Sequence, residues 1–242
     1  VGSSQSIAVA NTMLNTMLAA TMKKMIEKLE KGISLNDCIK EFFNNHKRVI
    51  FEGNGYSKEW EAEVTKRGLS NLKNTVDAIK VLKNKELTAS LIELGVFTEL
   101  EVNSRYEILL DSYSKTIQVE ASTALHMAKS QIFPACLSYY DKILNTLKTA
   151  SKLNYPLSFV STIALELGTL LEDMKKAMDK LETCIKEARE EKEDCLKAAT
   201  LWKDKVLTAM NELRTVVDTL ETKVDEKSWP MPTYIDLLFG IK

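Results

Sequence analysis

The residues of this 242-residue chain whose types could do chemistry are two histidines, four cysteines and a run of carboxylates. A metal-ligating or general-base histidine needs convergent partners. His46 and His126 sit in neither a Glu-x-x-His nor a His-x-x-x-His arrangement, so each is expected to be a surface or packed side chain. Cys38, Cys136, Cys184 and Cys195 show no C-x-x-C spacing, which suits neither a zinc site nor a dense disulfide framework and leaves reduced thiols as the expectation. If Cys184 and Cys195 share one continuous helix, a rise of ~1.5 Å per residue puts them about three turns apart, beyond disulfide reach.

Glu187 with Glu191, and Glu190 with Asp194, are spaced to share a helix face, as a cation site or a coupled acid pair would require. Lys186, Arg189, Lys192 and Lys197 interleave with them, and a solvated mixed-charge surface accounts for the run more economically. Arg214 and Asp218, four apart, read as a helix-supporting ion pair. Gly53-Asn54-Gly55 lacks the Lys-Ser/Thr ending of a phosphate loop and the third glycine of a dinucleotide fingerprint, and reads as a tight turn. The serines form no nucleophile elbow, and no cysteine carries a local signature of activation. The expected catalytic, cofactor-binding and metal sets within this chain are therefore empty.

The elements that would position any site are helical. Gly is 8 and Pro 4 in 242 residues, while 45% are hydrophobic and 28% charged, a composition for a buried core without frequent strand-and-turn punctuation. Lys+Arg 33 against Asp+Glu 34 gives a net charge of -1, so no global field draws in nucleic acid or an anionic membrane. We expect an all-α fold: long antiparallel helices forming a bundle or hairpin, with several short helices near the N-terminus.

Ser34 reads as a cap for a helix carrying Ile39, Phe42, Phe43 and Val49; Ser57, Thr75 and Asn84 mark further short helices, and Gly95 closes the series. Thr98 with Glu101 forms a capping box opening a long helix, in which Pro134 should kink or break the rod near Gln131. Beyond Pro156, Ile163, Leu167, Leu171, Met174, Met178, Leu181 and Ile185 recur at near-heptad spacing. The charged run Glu187–Asp194 is assigned as the reversal into a partner helix bearing Leu196, Leu201, Val206, Met210, Leu213, Val217, Leu220 and Val224.

Both ends of the chain are unusual. Val1 to Met22 contains no charged side chain and no initiator methionine; Ser, Thr, Asn and Gln residues interrupt it too often for a spanning helix, and a signal peptide would need a basic lead. From Ile7, the residues Val9, Met13, Leu14, Met17, Leu18, Met22, Met25 and Leu29 cover more than one face, as in a helix surrounded by protein, and the expectation is the C-terminal piece of a larger polypeptide. At the other end, Pro230 and Pro232 enforce an extended strut flanked by Trp229, Tyr234, Leu237, Leu238 and Phe239. Such a tail should dock, either on its own helices, the favoured reading, or on a neighbouring subunit.

Several ordered blocks carry a family resemblance: Gly53-Asn54-Gly55-Tyr56-Ser57 with Glu59-Trp60, Arg67-Gly68-Leu69, Asn71-Leu72-Lys73, Gly95-Val96-Phe97-Thr98-Glu99, Ser104-Arg105-Tyr106-Glu107-Ile108, Lys115-Thr116-Ile117, and Trp229-Pro230-Met231-Pro232-Thr233-Tyr234 with Asp236-Leu237-Leu238-Phe239. Together they resemble the C-terminal portion of type III glutamine synthetases, over nearly the whole chain. The opening Val1-Gly2-Ser3-Ser4 and Asn11-Thr12-Met13-Leu14-Asn15-Thr16 are similar to the segment after the last active-site arginine of that family's catalytic barrel.

The resemblance implies an ATP-dependent glutamate–ammonia ligase with Mg or Mn, cytoplasmic and assembled as a large homo-oligomer. It also implies that the metal carboxylates and phosphate-neutralising arginines lie upstream of Val1, so this fragment holds no cofactor and is not catalytic alone. Only Gly2, Ser3 and Ser4 would stand near the edge of the parent's active site. The corresponding division is 1–52 as the end of the barrel and its helices, 53–97 as a short-helix connector, 98–227 as the long-helix bundle and 228–242 as a docking tail bearing Trp229, Tyr234 and Phe239. The partner is the rest of the polypeptide, with no nucleic acid or membrane. The alternative is a stand-alone helical protein-interaction module.

Overall fold

The computed structural model describes residues 6–155, 157–232 and 234–240, and these contain helices and connecting turns with no strand among them. The all-α expectation holds. The chain separates into two compact units, Val1–Leu109 and Leu110–Lys242.

In the first unit, α1 (Ala8–Glu30), α2 (Leu35–Asn45), α3 (Lys58–Lys66), α4 (Thr75–Lys80) and α5 (Lys85–Glu93) precede the start of α6 (Glu99–Met127). Local capping decides where these begin, because a side-chain oxygen satisfies a helix-terminal N–H that has no intrahelical partner. Ser34 accepts from the Asp37 N–H, Ser57 from Trp60, Asn74 from Asp77 and Asn84 from Glu86 and Leu87. At α6 the Thr98 hydroxyl accepts from the Glu101 N–H at 3.2 Å while Glu101 Oε2 accepts from the Thr98 N–H at 2.7 Å, the reciprocal box that the sequence spells. Val49 lies in a short 3-10 turn, Lys47–Val49, after α2 has ended, rather than on the helix assigned to it.

The core of this unit is a small set of side chains, Cys38, Val64, Val76, Ile79, Leu91, Val102 and Tyr106. Helix α1 contributes little to it: its single buried residue is Thr16, whose hydroxyl is satisfied by the Thr12 carbonyl at 2.7 Å. Leu14, Met17, Leu18, Met22 and Ile26 are exposed. Within this chain, then, α1 is not surrounded by protein as its sequence leads one to expect.

The second unit continues α6 from Leu110 and adds α7 (Phe133–Lys152), α8 (Ser158–Glu190), α9 (Cys195–Leu201), α10 (Leu207–Glu221) and α11 (Tyr234–Phe239). Lys180–Glu212 at 2.6 Å, Glu187–Lys205 at 2.7 Å and Glu166–Lys223 at 2.7 Å link α8 to the returning segment in opposite chain order, so the two run antiparallel. The reversal falls at 191–194, between α8 and α9, inside the charged run.

One contiguous core fills this unit: Leu167, Leu171, Met174, Met178, Leu181 and Ile185 of α8 meet Val206, Leu213 and Leu220 of the return and Ile117, Ala121 and Cys136 of the α6–α7 rod. Each large side chain buried there is worth about 1.5–3 kcal/mol. Ile163, which shares the heptad-like stripe, is exposed, and Trp202, which the stripe omits, is buried in the core.

Two departures from regular α-geometry occur here. Pro134 does not break the rod; instead Ala128–Ile132 widens into a π turn in which the Phe133 N–H reaches the Ala128 carbonyl. A wider turn removes the clash between the proline ring and the preceding carbonyls, and Pro134 enters the first turn of α7, where its missing N–H costs least. A second π turn, Trp202–Val206, joins α9 to α10 without any proline. Between α7 and α8, Gly168 permits a close approach, since a Cβ there would stand 3.0 Å from the Tyr140 hydroxyl.

Candidate functional site

The chemistry-bearing residues are dispersed. The carboxylates of the Glu187–Asp194 run are engaged separately: Glu187 by Lys205 of the return segment, Glu191 by Lys197, and Asp194 as the cap of α9. The Lys197 ammonium holds the Glu191 carboxyl below its ordinary range, and Glu187 raises Lys205. Because α8 ends at Glu190, neither carboxylate pair spans one continuous helix, which removes the geometry of a coupled acid pair.

His46 stacks on Phe42 with ring centroids 4.3 Å apart, its Nδ1 2.8 Å from the Phe42 carbonyl. His126 lies on α6 near Ser130. Cys184 and Cys195 occupy different helices, on either side of the reversal, rather than one rod, and no disulfide joins the four cysteines. Burial pushes the Cys136 thiol up to about 11, far from the thiolate range that reactive cysteines require. Among the described residues no group of three His, Cys, Asp or Glu side chains converges to hold a metal.

The chain brings together other features instead. The first is a knot around Arg67, a residue of one of the family-like blocks. Arg67 Nε donates to Glu63 at 2.6 Å, and its Nη1 donates to the carbonyls of Ile50 at 2.6 Å and Arg48 at 3.2 Å. The guanidinium lies 5.8 Å from the Phe51 ring centroid, and Phe51 in turn packs on Trp60 at 4.2 Å. One Arg side chain thus fastens the loop after α2 to the C-terminal end of α3, combining charge-assisted bonds with a cation–π contact. The same bond from Arg67 holds the Glu63 carboxyl low. A Cβ on Gly53 would approach the Phe51 ring to 2.7 Å, which gives the first glycine of the Gly-Asn-Gly turn a steric role. The Ser57 N–H closes the turn onto the Asn54 carbonyl at 3.1 Å, and Tyr56 at its tip is 97% exposed. The aromatic pair flanking the turn, followed by an arginine one helix later, was the available sequence signal.

The second feature is apolar surface. Besides α1, Phe43 of α2 and Val49 are exposed, and an apolar cavity of about 480 Å³ lies among α1, α5 and the start of α6, lined by Val9, Met13, Leu91, Phe97 and Ile108 among others. At that cavity Arg105 sits over the Phe97 ring at 4.1 Å.

The third is the tail. Trp229 is half-buried against the core of the second unit, its Nε1 buried with no acceptor among the described residues. Tyr234 opens α11, its side chain outside the described residues; Phe239 is 66% exposed, and Leu237 and Leu238 are exposed beside it. Gly2, Ser3 and Ser4, the expected edge of a parent active site, also lie outside the described residues.

Comparison with known proteins relates part of the chain to a family. Residues 34–151, which hold the Arg67 knot, the capped short helices and the capping box of α6, match the family described as "Glutamine synthetase C-terminal domain". The chain is similar to "Type-3 glutamine synthetase" of Dictyostelium discoideum, 30% identical over 99% of this chain and 34% of that protein. It is also similar to glutamine synthetases of Butyrivibrio fibrisolvens, at 33% identity over 98% of this chain and 33% of that protein, and of Bacteroides fragilis, at 27% over 98% and 34%. It spans about a third of the length of these relatives. The chain is thus similar over nearly its whole length to these glutamine synthetases, and its residues 34–151 match the C-terminal domain of that family.

Proposed function

We propose that this chain is the C-terminal helical domain of an ATP-dependent glutamate–ammonia ligase, where it buttresses the catalytic barrel and supplies contacts between subunits, without being catalytic alone. The observation that carries this reading is α1: a 23-residue helix with one buried residue and Leu14, Met17, Leu18, Met22 and Ile26 all turned outward. An apolar surface of that extent belongs against protein. In support, the relatives are about three times as long and so have further polypeptide available to cover it. The Arg67 knot then holds the loop bearing Tyr56 in a fixed shape for the same contact. Mg or Mn and ATP would be held by the remainder of the parent.

The test compares purified residues 1–242 with the full-length protein. Glutamine formation is expected only in the full-length protein, and replacing Leu14, Met17 and Leu18 together by lysine should abolish its assembly while leaving the helix content of the chain unchanged. Glutamine formed by residues 1–242 alone, or normal assembly of the lysine variant, contradicts the proposal.

A further inference from the structure

A groove in the second unit, between α6 and the end of α8, departs from the charge matching found elsewhere on the hairpin. On the opposite side of α8, Lys180 and Lys205 each meet a carboxylate across the interface. In the groove, of about 740 Å³, four cations, Lys129, Lys186, Arg189 and Lys192, face two carboxylates, Glu182 and Glu190. Lys129 is satisfied by Glu182 at 2.7 Å. Lys186, Arg189 and Lys192 take part in none of the ion pairs among the described residues.

Cations in the last turn of a helix are ordinarily explained by its own C-terminal carbonyls. Arg189 does not turn that way: its Nη2 crosses to α6 and donates to the Ser122 hydroxyl at 3.0 Å. A guanidinium presents a planar fork suited to two oxygens of an anion, and here a single neutral hydroxyl holds one arm of it in place. Two exposed contacts, Arg189–Ser122 and Lys129–Glu182, tie the α6 side of the groove to α8. The volume falls within the range of small-molecule sites, about 300–1,000 Å³.

We infer that this groove binds a small polyphosphate-bearing anion, gripped by the Arg189 fork with Lys186 and Lys192 as point charges. The inference is independent of the ligase reading, because every residue it uses belongs to the second unit.

Titration of the 242-residue chain with inorganic tripolyphosphate, followed by amide chemical shifts, is expected to give saturable binding centred on Ser122, Lys129 and Arg189. Arg189→Gln should weaken it at least tenfold, and Lys186→Gln or Lys192→Gln severalfold each, with unchanged circular dichroism and melting temperature. Lys175→Gln, which removes a cation already paired with Asp179, should leave the affinity as it was. Absence of saturation, an unchanged affinity in Arg189→Gln, an equal loss in Lys175→Gln, or citrate competing as strongly as tripolyphosphate would each overturn the assignment.

Discussion

The two units of this chain solve the problem of burial in opposite ways. In the second, the heptad-like stripe of α8 is answered by stripes on the return segment and on the α6–α7 rod, so that Leu181, Met174 and Val206 are fully enclosed within one chain. In the first, the 23-residue helix α1 buries only Thr16. Amphipathicity is the signature of a helix with one partner and one wet side; a helix that is apolar all round is complete only when enclosed. The second unit is closed by its own side chains, and the first leaves the apolar residues of α1 exposed, as the proposed interface requires.

That contrast is broken most severely by opening the closed core. Trp202→Ala should destabilise the second unit by about 3–5 kcal/mol and Met174→Ala by about 2–5 kcal/mol, measured by urea denaturation. A loss below about 1 kcal/mol would show that the unit is not closed in the way described. Next in size, Thr98→Ala removes the cap of α6 and should cost about 1 kcal/mol.

The pH dependence follows from the same box. The Thr98 backbone and hydroxyl hydrogen bonds hold the Glu101 carboxyl below its ordinary value. The stabilisation it provides is therefore present above the ordinary carboxylate pKa and fades as pH falls through the lowered one. Thr98→Ala removes the hydroxyl but keeps the backbone N–H, so it should reduce this acid-side loss only in part, which melting curves between neutral and acid pH would show. Arg67→Gln sharpens the comparison locally: limited proteolysis should begin within residues 46–57 while the melting of the second unit stays as in the parent chain. Smallest of all, replacing Leu14, Met17 and Leu18 by lysine in the isolated chain should change stability by no more than about 0.5 kcal/mol, because those side chains have little burial to lose.

Much of this architecture was written locally. Ser34, Ser57, Asn84 and Thr98 mark helix starts because a cap needs only residues within one turn of each other. The reversal at 191–194 was readable because charge replaced the apolar stripe there. What could not be read depends on distant partners. Pro134 signalled a kink or break near Gln131, and the irregularity does fall there, but as a π turn, Ala128–Ile132, whose Ala128 and Ile132 are held in the core. Trp202 escaped the stripe because the second π turn shifts the helical phase at that point. The Arg67 knot joins Arg48, Ile50, Phe51, Glu63 and Trp60, whose spacings share no period. The apolar residues of α1 read in the sequence as needing cover from a larger polypeptide, and in this chain they stand exposed.

Hydrogen exchange on residues 1–242 and on the full-length protein, compared side by side, tests that division most directly. The account predicts that amides of Ala8–Glu30 gain protection strongly in the full-length protein while those of α8 and α10 exchange alike in both. Equal protection of Ala8–Glu30 in the two forms would contradict it.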